Sequence, residues 1–370
     1  MTSTGDVTPR ELPTLTALRG AAAILVFGYH VGNMVVPIPF AELGYAGVAF
    51  FFVLSGFVLT WAYRPGGTWG GFMIRRIARI YPSHLVAMTL ALVLALTIIP
   101  SPVTPVMLGS QTLLLQAWLP DREAILGINI VSWSLSVELA FYALFPFMLP
   151  VLIRMNYRVR RIVTLGLIVM PILVGLLLTV TGNEEVALLM YFNPLARVPE
   201  FILGAALALE LRDGRLSRVP WVIGVAGVGA LWFACSLADV PEFVVNPVLA
   251  LAFATVIASA AGHDLASHRG GRRRVPAWTV FAGRVSFAFY LVHLLVLEVV
   301  VAYVWVPAWL QVAASFVLGV LLAIVLHLWV EKPAQNMIVK VFTTRRSRNP
   351  HVQQMGELSR AASEGMGSKE

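Results

Sequence analysis

The sequence predicts an all-α polytopic membrane protein with about ten transmembrane helices and both termini in the cytoplasm. Three observations carry this. Hydrophobic residues make up 58% of the 370-residue chain and charged residues 12%, with a mean hydropathy of +0.81, too little polar surface to cover a soluble globule. Ten segments are apolar and about long enough to span: 15–36, 43–63, 82–100, 132–153, 159–180, 195–211, 219–237, 244–261, 284–305 and 308–330. The basic residues, finally, alternate by side. With helix ends counted with the loops they adjoin, only Arg122 and Arg197 of the 27 Lys and Arg fall on the side opposite the termini, which orients both ends inward. The net charge of +8 is therefore a topology signal, and no nucleic-acid partner is expected.

Span one carries Arg19 near its inner end and a lone His30 deep inside. Eleven helical steps of about 100° return to within about 20° of the start, so both share one stripe, roughly 16 Å apart along the axis. Ionisable residues at such depth are costly and mark working sites. A cleaved signal peptide is the other reading of this segment; its length, the charged Glu11 before it and the lack of a small-x-small cleavage site speak against that. Span two ends at Arg64, and Arg75, Arg76 and Arg79 follow in Arg75-Arg76-Ile77-Ala78-Arg79-Ile80-Tyr81-Pro82 at the inner end of span three. Arg76 and Arg79, three apart, would project together on a helix and could clamp an anionic group, although anchoring on anionic lipid explains a basic run equally well.

The connection 101–131 is the longest outer one; its apolar part, 106–118, is too short to span and is expected to lie in the interface or re-enter. Span four opens with Ser132-Trp133-Ser134-Leu135-Ser136-Val137-Glu138, placing Glu138 about six residues below its outer end, the depth of His30 in span one, roughly 9 Å down at about 1.5 Å per residue. A carboxylate level with a histidine could fix its tautomer and support it as a general base, while the alternative is two residues that separately satisfy buried polar groups. Basic clusters at 154–161, 212–218 and 269–274 close spans four, six and eight on the inner side. Span six opens from outside with Arg197-Val198-Pro199-Glu200, which either neutralise each other at i,i+3 or line an outward-facing acceptor pocket. His293 in span nine is a candidate pocket residue or a packed core partner, and Glu298 lies deeper; His84 and His327 fall near inner ends. Trp61, Trp118, Trp133, Trp305 and Trp309 sit near the predicted interfaces and read as belt anchors. Cys235, the single cysteine, excludes an internal disulfide and reads as a core residue. Residues 1–14 form a short inner tail, 15–340 the membrane domain, and 341–370, without apolar periodicity, a tail expected to be disordered.

Seven segments in order resemble a known family: Leu15-Thr16-Ala17-Leu18-Arg19-Gly20 through His30, Phe52-Val53-Leu54-Ser55-Gly56-Phe57, Arg76-x-x-Arg79-Ile80-Tyr81-Pro82, Trp133-Ser134-Leu135-Ser136-Val137-Glu138, Arg197-x-x-Glu200-Phe201-x-x-Gly204, Ser286-Phe287-x-x-Tyr290-Leu291-x-His293 and Glu331-Lys332-Pro333. Together they cover about residues 15–335 and are similar to the membrane acyltransferase family 3, in the stand-alone form without an attached hydrolase-like domain. The resemblance implies transfer of an acyl group, acetyl or another short acyl, from cytoplasmic acyl-coenzyme A to a hydroxyl of a glycan, glycolipid or secondary metabolite. By that similarity His30 would be the catalytic base or acyl-transfer centre; Glu138, expected at the same depth, would orient it. Arg19 would order the donor site, and Arg76 with Arg79 would contact coenzyme A. Arg197, Glu200 and His293 would belong to the acceptor pocket. The expectation includes a bacterial inner or plasma membrane location, no resident metal and no permanently bound cofactor, acyl-coenzyme A being a substrate. A transporter or flippase of a polar or lipid-linked solute would also bury ionisable residues, but no inverted repeat or paired broken helices support it.

Overall fold

Long apolar runs in lipid must satisfy their backbone internally, which leaves the helix as the economical solution here. A computed structural model describes residues 12–215, 220–238, 240–267 and 275–347, and among them every regular element is helical. Cap residues in the sequence set many of the starts. Pro13 begins α1 (Pro13–Met34) with its fixed φ, and a 3₁₀ turn, Glu42–Ala46, leads into α2 (Gly47–Trp61). Thr68 accepts from the Gly71 amide at 3.3 Å to start α3 (Trp69–Thr97), and Thr104 caps α4 (Pro105–Thr112) by accepting from Met107. Asp121 caps α5 (Arg122–Leu126); α6 (Trp133–Arg154) follows another 3₁₀ turn, and Asn156 caps α7 (Tyr157–Val180). A short α8 (Glu184–Phe192) precedes α9 (Pro194–Arg212), where Asn193 caps and Pro194 takes the first position. Then come α10 (Trp221–Leu237), α11 (Glu242–Ser267), α12 (Ala277–Tyr303) and α13 (Ala308–Leu326), which passes through a π-turn, His327–Glu331, into α14 (Lys332–Ser347).

A helix stands at each of the ten predicted spans. Eight runs are long and apolar enough to cross a membrane: 13–34, 42–61, 69–97, 130–154, 157–180, 242–266, 277–303 and 308–342. The other two places are filled differently. Helix α9 carries Arg197, Glu200, Glu210 and Arg212, and α10 has 17 residues. The largest shift is in α3, which begins at Trp69 rather than near 82; Pro82 lies inside a 29-residue helix, and Arg75, Arg76 and Arg79 ride on it. At the other end α14 runs to Ser347, into the segment read from sequence as tail.

Small residues bring backbones together where polar side chains must meet. A Cβ at Gly56 would stand 1.9 Å from the Phe201 carbonyl oxygen and one at Gly204 1.8 Å from that of Val53, so α2 and α9 touch backbone to backbone. Gly283 likewise seats α12 on α1, its missing Cβ 1.7 Å from the Thr16 carbonyl oxygen. Around these contacts Phe57, Phe141, Phe145 and Phe201 are fully buried, with the rings of Phe141 and Phe201 stacked at 4.8 Å.

The 101–131 connection folds inward. Gln111, Gln116 and Asn129 are wholly buried in it. Gln111 Oε1 accepts from the Asn129 amide at 3.0 Å and its Nε2 donates to Ala124, while Asn129 Nδ2 donates to the Leu291 carbonyl on α12. His84 on α3 meets the Gln111 carbonyl at 2.8 Å. An unpaired amide at this depth would cost several kcal/mol, of order 2–7, so the polar side chains here are what allow an irregular segment inside the bundle.

Candidate active site

Helices α1, α2, α3, α6 and α12 line a partly open cavity. Into it project Arg19 from α1, Arg76 and Arg79 from α3, and Glu138 and Tyr142 from α6. Three guanidinium groups face one carboxylate, an excess of positive charge in a site of low dielectric where an anion gains most. Arg76 lies over the rings of Phe72 and Tyr142, at 5.7 and 5.9 Å, and its buried Nε has no hydrogen-bond partner. Glu331 of the π-turn is within electrostatic reach of Arg19, and its own carboxylate holds His327 Nδ1 at 2.8 Å. A second cavity, lined by Arg64, Arg75 and Trp69, shares the walls Leu59 and Arg76 with the first. Arg76 lines both, and the second lies at the α2–α3 turn.

The structure distributes the candidate residues into three places. Arg19, Arg76, Arg79 and Glu138 share the cavity. His30 lies outside its lining, with its ring 5.3 Å from that of His293 and 5.1 Å from that of Tyr29. Among the described residues no hydrogen bond joins His30 to Glu138; Glu138 Oε1 instead accepts from the Tyr142 hydroxyl one turn along α6 and from Ser55 Oγ at 3.4 Å. Arg19, on the same stripe of α1 but roughly 16 Å along it, is the residue of that helix that shares the cavity with Glu138. Tyr290 links the places: its hydroxyl lies 2.8 Å from Ser134 Oγ at the cavity wall, and its ring is 5.9 Å from that of His293.

Arg197 and Glu200 form the third place. They pair at 3.1 Å with both side chains buried, and the guanidinium sits over Tyr191, Phe52 and Trp133 at 5.0, 5.2 and 6.0 Å. Neither lines the central cavity. Trp133 is thus a core wall at 6% exposure, unlike Trp305 and Trp309, which stand out at 92% and 68% as belt anchors would. A tryptophan opening a helix reads as an interface residue until a neighbouring cation claims its face.

Tyr142, Ser55 and Ser134 escaped the sequence reading as site residues. Tyr142 was within reach of it: a hydroxyl four residues after an intramembrane glutamate shares its face. Ser55 and Ser134 lie inside two of the seven motif segments, but nothing singles them out there, because small hydroxyls in membrane helices commonly bond their own backbone.

Sequence comparisons fit this arrangement. Residues 12–328 match the family described as "Acyltransferase domain". The chain is 31% identical over 388 residues to the acyltransferase MdmB of Streptomyces mycarofaciens, covering 95% of this chain and 98% of that one. It is 29% identical over 232 residues to the O-acetyltransferase OatA of Staphylococcus aureus, and 26% over 246 residues to the putative peptidoglycan O-acetyltransferase YrhL of Bacillus subtilis. Those matches take in 54% and 57% of this chain but 35% of each relative. No solved structure matches. With the match spanning nearly the whole helical domain, the chain belongs to the membrane acyltransferase 3 family and is a multi-pass acyltransferase.

Proposed function

We propose that this protein is an O-acyltransferase of the cell membrane, with ten spans and both termini cytoplasmic, that moves a short acyl group, acetyl above all, from cytoplasmic acyl-coenzyme A to a hydroxyl. The acceptor class is a carbohydrate, glycoconjugate or secondary metabolite, in keeping with the O-acetyltransferase names of two relatives. The observation that carries the reading is a pair of neighbouring cavities that share Leu59 and Arg76 as walls, one bearing Arg64 and Arg75 and the other Arg19, Arg76 and Arg79. Coenzyme A presents phosphates on one end and a slender pantetheine arm on the other. Arginines suit the first, by forked charge-assisted hydrogen bonds, and the narrow inner cavity suits the second.

The chemistry is a displacement at the thioester carbonyl. With the acyl group at the outer end of the cavity, beside Ser134 and Tyr290, the acceptor oxygen attacks the carbonyl carbon while His30 takes its proton. The new C–O ester bond forms, the C–S bond breaks, and the proton passes from His30 to the departing thiolate, so no oxidant or co-reactant is required. Transfer through an acyl-histidine balances equally, with the acyl group resting on an imidazole nitrogen between the two displacements. Glu138 offsets part of the arginine charge, which lets coenzyme A leave again.

Radiolabelled acetyl-coenzyme A and longer acyl-coenzyme A species, offered to the protein in nanodiscs, test this directly. Wild-type protein should turn over thioester, His30→Ala should lose at least about 100-fold in rate, and Arg76→Ala/Arg79→Ala should weaken donor binding by at least about tenfold. Full transfer by correctly inserted His30→Ala would remove the base assignment. Failure of the folded wild-type protein to bind any acyl-coenzyme A would remove the donor assignment.

A further inference from the structure

His293 is completely buried, and its hydrogen bonds decide its chemistry. Nδ1 lies 2.9 Å from the Tyr290 carbonyl oxygen and 3.2 Å from that of Phe289. Both partners are acceptors, so Nδ1 carries the hydrogen and donates, which leaves Nε2 of the neutral ring with a lone pair. That Nε2 is buried without a hydrogen-bond partner. The rings packed against the His293 ring are those of Phe27, Phe289, Tyr290 and His30. The first two cannot donate. The Tyr290 hydroxyl is engaged by Ser134 Oγ and by the Val131 carbonyl at 3.1 Å. His30, with its ring centre 5.3 Å away and tilted by 46°, is the remaining neighbour among these rings with an N–H to give.

We infer that His293 is the positioning residue for His30: its Nε2 accepts the His30 N–H, so a relay runs from the Tyr290 carbonyl through His293 to His30 and presents the second nitrogen of His30 as a fixed acceptor. An unpartnered buried nitrogen costs stability, so its retention beside a second imidazole makes functional sense. Rotation of the His30 ring about its side-chain bonds makes the contact, and the aromatic walls keep other donors away. When His30 takes a proton from the acceptor hydroxyl, the hydrogen bond to His293 strengthens and the charge is shared within the pair, with no bond made or broken at His293. The inference rests on the proposed role of His30 but concerns its orientation, which has its own readout.

The experiment is nitrogen-15 NMR of the full chain in nanodiscs with labelled histidine, the His30 signals being assigned by their loss in His30→Ala. In wild-type protein His30 should occupy one neutral tautomer. His293→Phe, which keeps the ring packing, should mix the two tautomers and lower kcat by about 10- to 100-fold with donor KM within about twofold, the scale of losing an outer partner of a working histidine. His293→Gln, which sets an amide oxygen near the place of Nε2, should restore one tautomer and most of the rate. If His293→Phe fails to insert, His293→Leu against His293→Gln makes the same comparison. A His30 tautomer unchanged in the Phe or Leu variant overturns the proposal whatever the rates do. Activity retained by His30→Ala overturns the base assignment instead, and leaves the tautomer measurement to judge the pair.

Discussion

The Tyr142 hydroxyl donates to Glu138 Oε1 across one turn of α6, so the carboxylate that shares the cavity with three arginines is held by a neighbour on its own helix. Removing the hydroxyl by Tyr142→Phe leaves Oε1 with only the 3.4 Å contact from Ser55. The carboxylate then competes better for Arg76 and Arg79, against the anionic donor. A lost hydrogen bond to a charged group is worth about 1.5–3 kcal/mol, part of which reappears in the new pairing. The expected outcome is a KM for acyl-coenzyme A raised about five- to tenfold with kcat less affected. Unchanged KM in steady-state kinetics would show that Tyr142 and the arginines are not coupled through Glu138.

Backbone contact between α2 and α9 should tolerate no side chain. Gly56→Ala or Gly204→Ala puts a methyl within 2 Å of a carbonyl oxygen, and the helices must part, at a cost at or above the usual ~1–3 kcal/mol of overpacking. Gly166 on α7 has nothing within 4 Å of the place of its Cβ, so Gly166→Ala should be neutral or stabilise by up to about 1 kcal/mol. Thermal unfolding in one detergent compares all three.

At the ends of α7 and α9, Arg160 pairs with Glu210 at 2.8 Å and with Asp213 at 3.0 Å, both Arg160 and Glu210 being buried. Arg160→Leu leaves Glu210 to Arg161 alone, which is half exposed. Breaking one side of a buried pair costs about 3–5 kcal/mol, and the remaining partner should hold the loss near the lower figure. Arg215→Ala, at a 3.7 Å contact with half-exposed Asp213, should change stability by under about 1 kcal/mol. Chemical or thermal melts that rank the two the other way would contradict the burial argument.

The inward-folded connection should depend on Gln111. Gln111→Leu preserves bulk but strands the Asn129 amide and the Ala124 carbonyl, each at about 1–3 kcal/mol, and loosens Asn129 from Leu291 on α12. Expected results are a lower melting temperature and faster hydrogen exchange in 113–132 than in α3. Unchanged exchange there would mean that the other contacts of the segment suffice.

The sequence by itself determined the helical class, a helix at each of the ten apolar segments and the family, because lipid admits only internally bonded backbone and because seven motifs lie in order along the chain. It also placed Arg76 and Arg79 on one face, a consequence of helical period alone. What it could not determine was which side chains of different helices meet. Counting residues from the span ends set His30 level with Glu138, but neighbours across a bundle depend on how the helices pack. Those contacts are decided by small residues such as Gly56, Gly204 and Gly283, whose partners are distant in sequence. Tertiary structure therefore put His30 beside His293, gave Glu138 to Tyr142 and the arginine cavity, and closed Arg197 and Glu200 in aromatic rings, since side-chain neighbours in a bundle are a property of the packing.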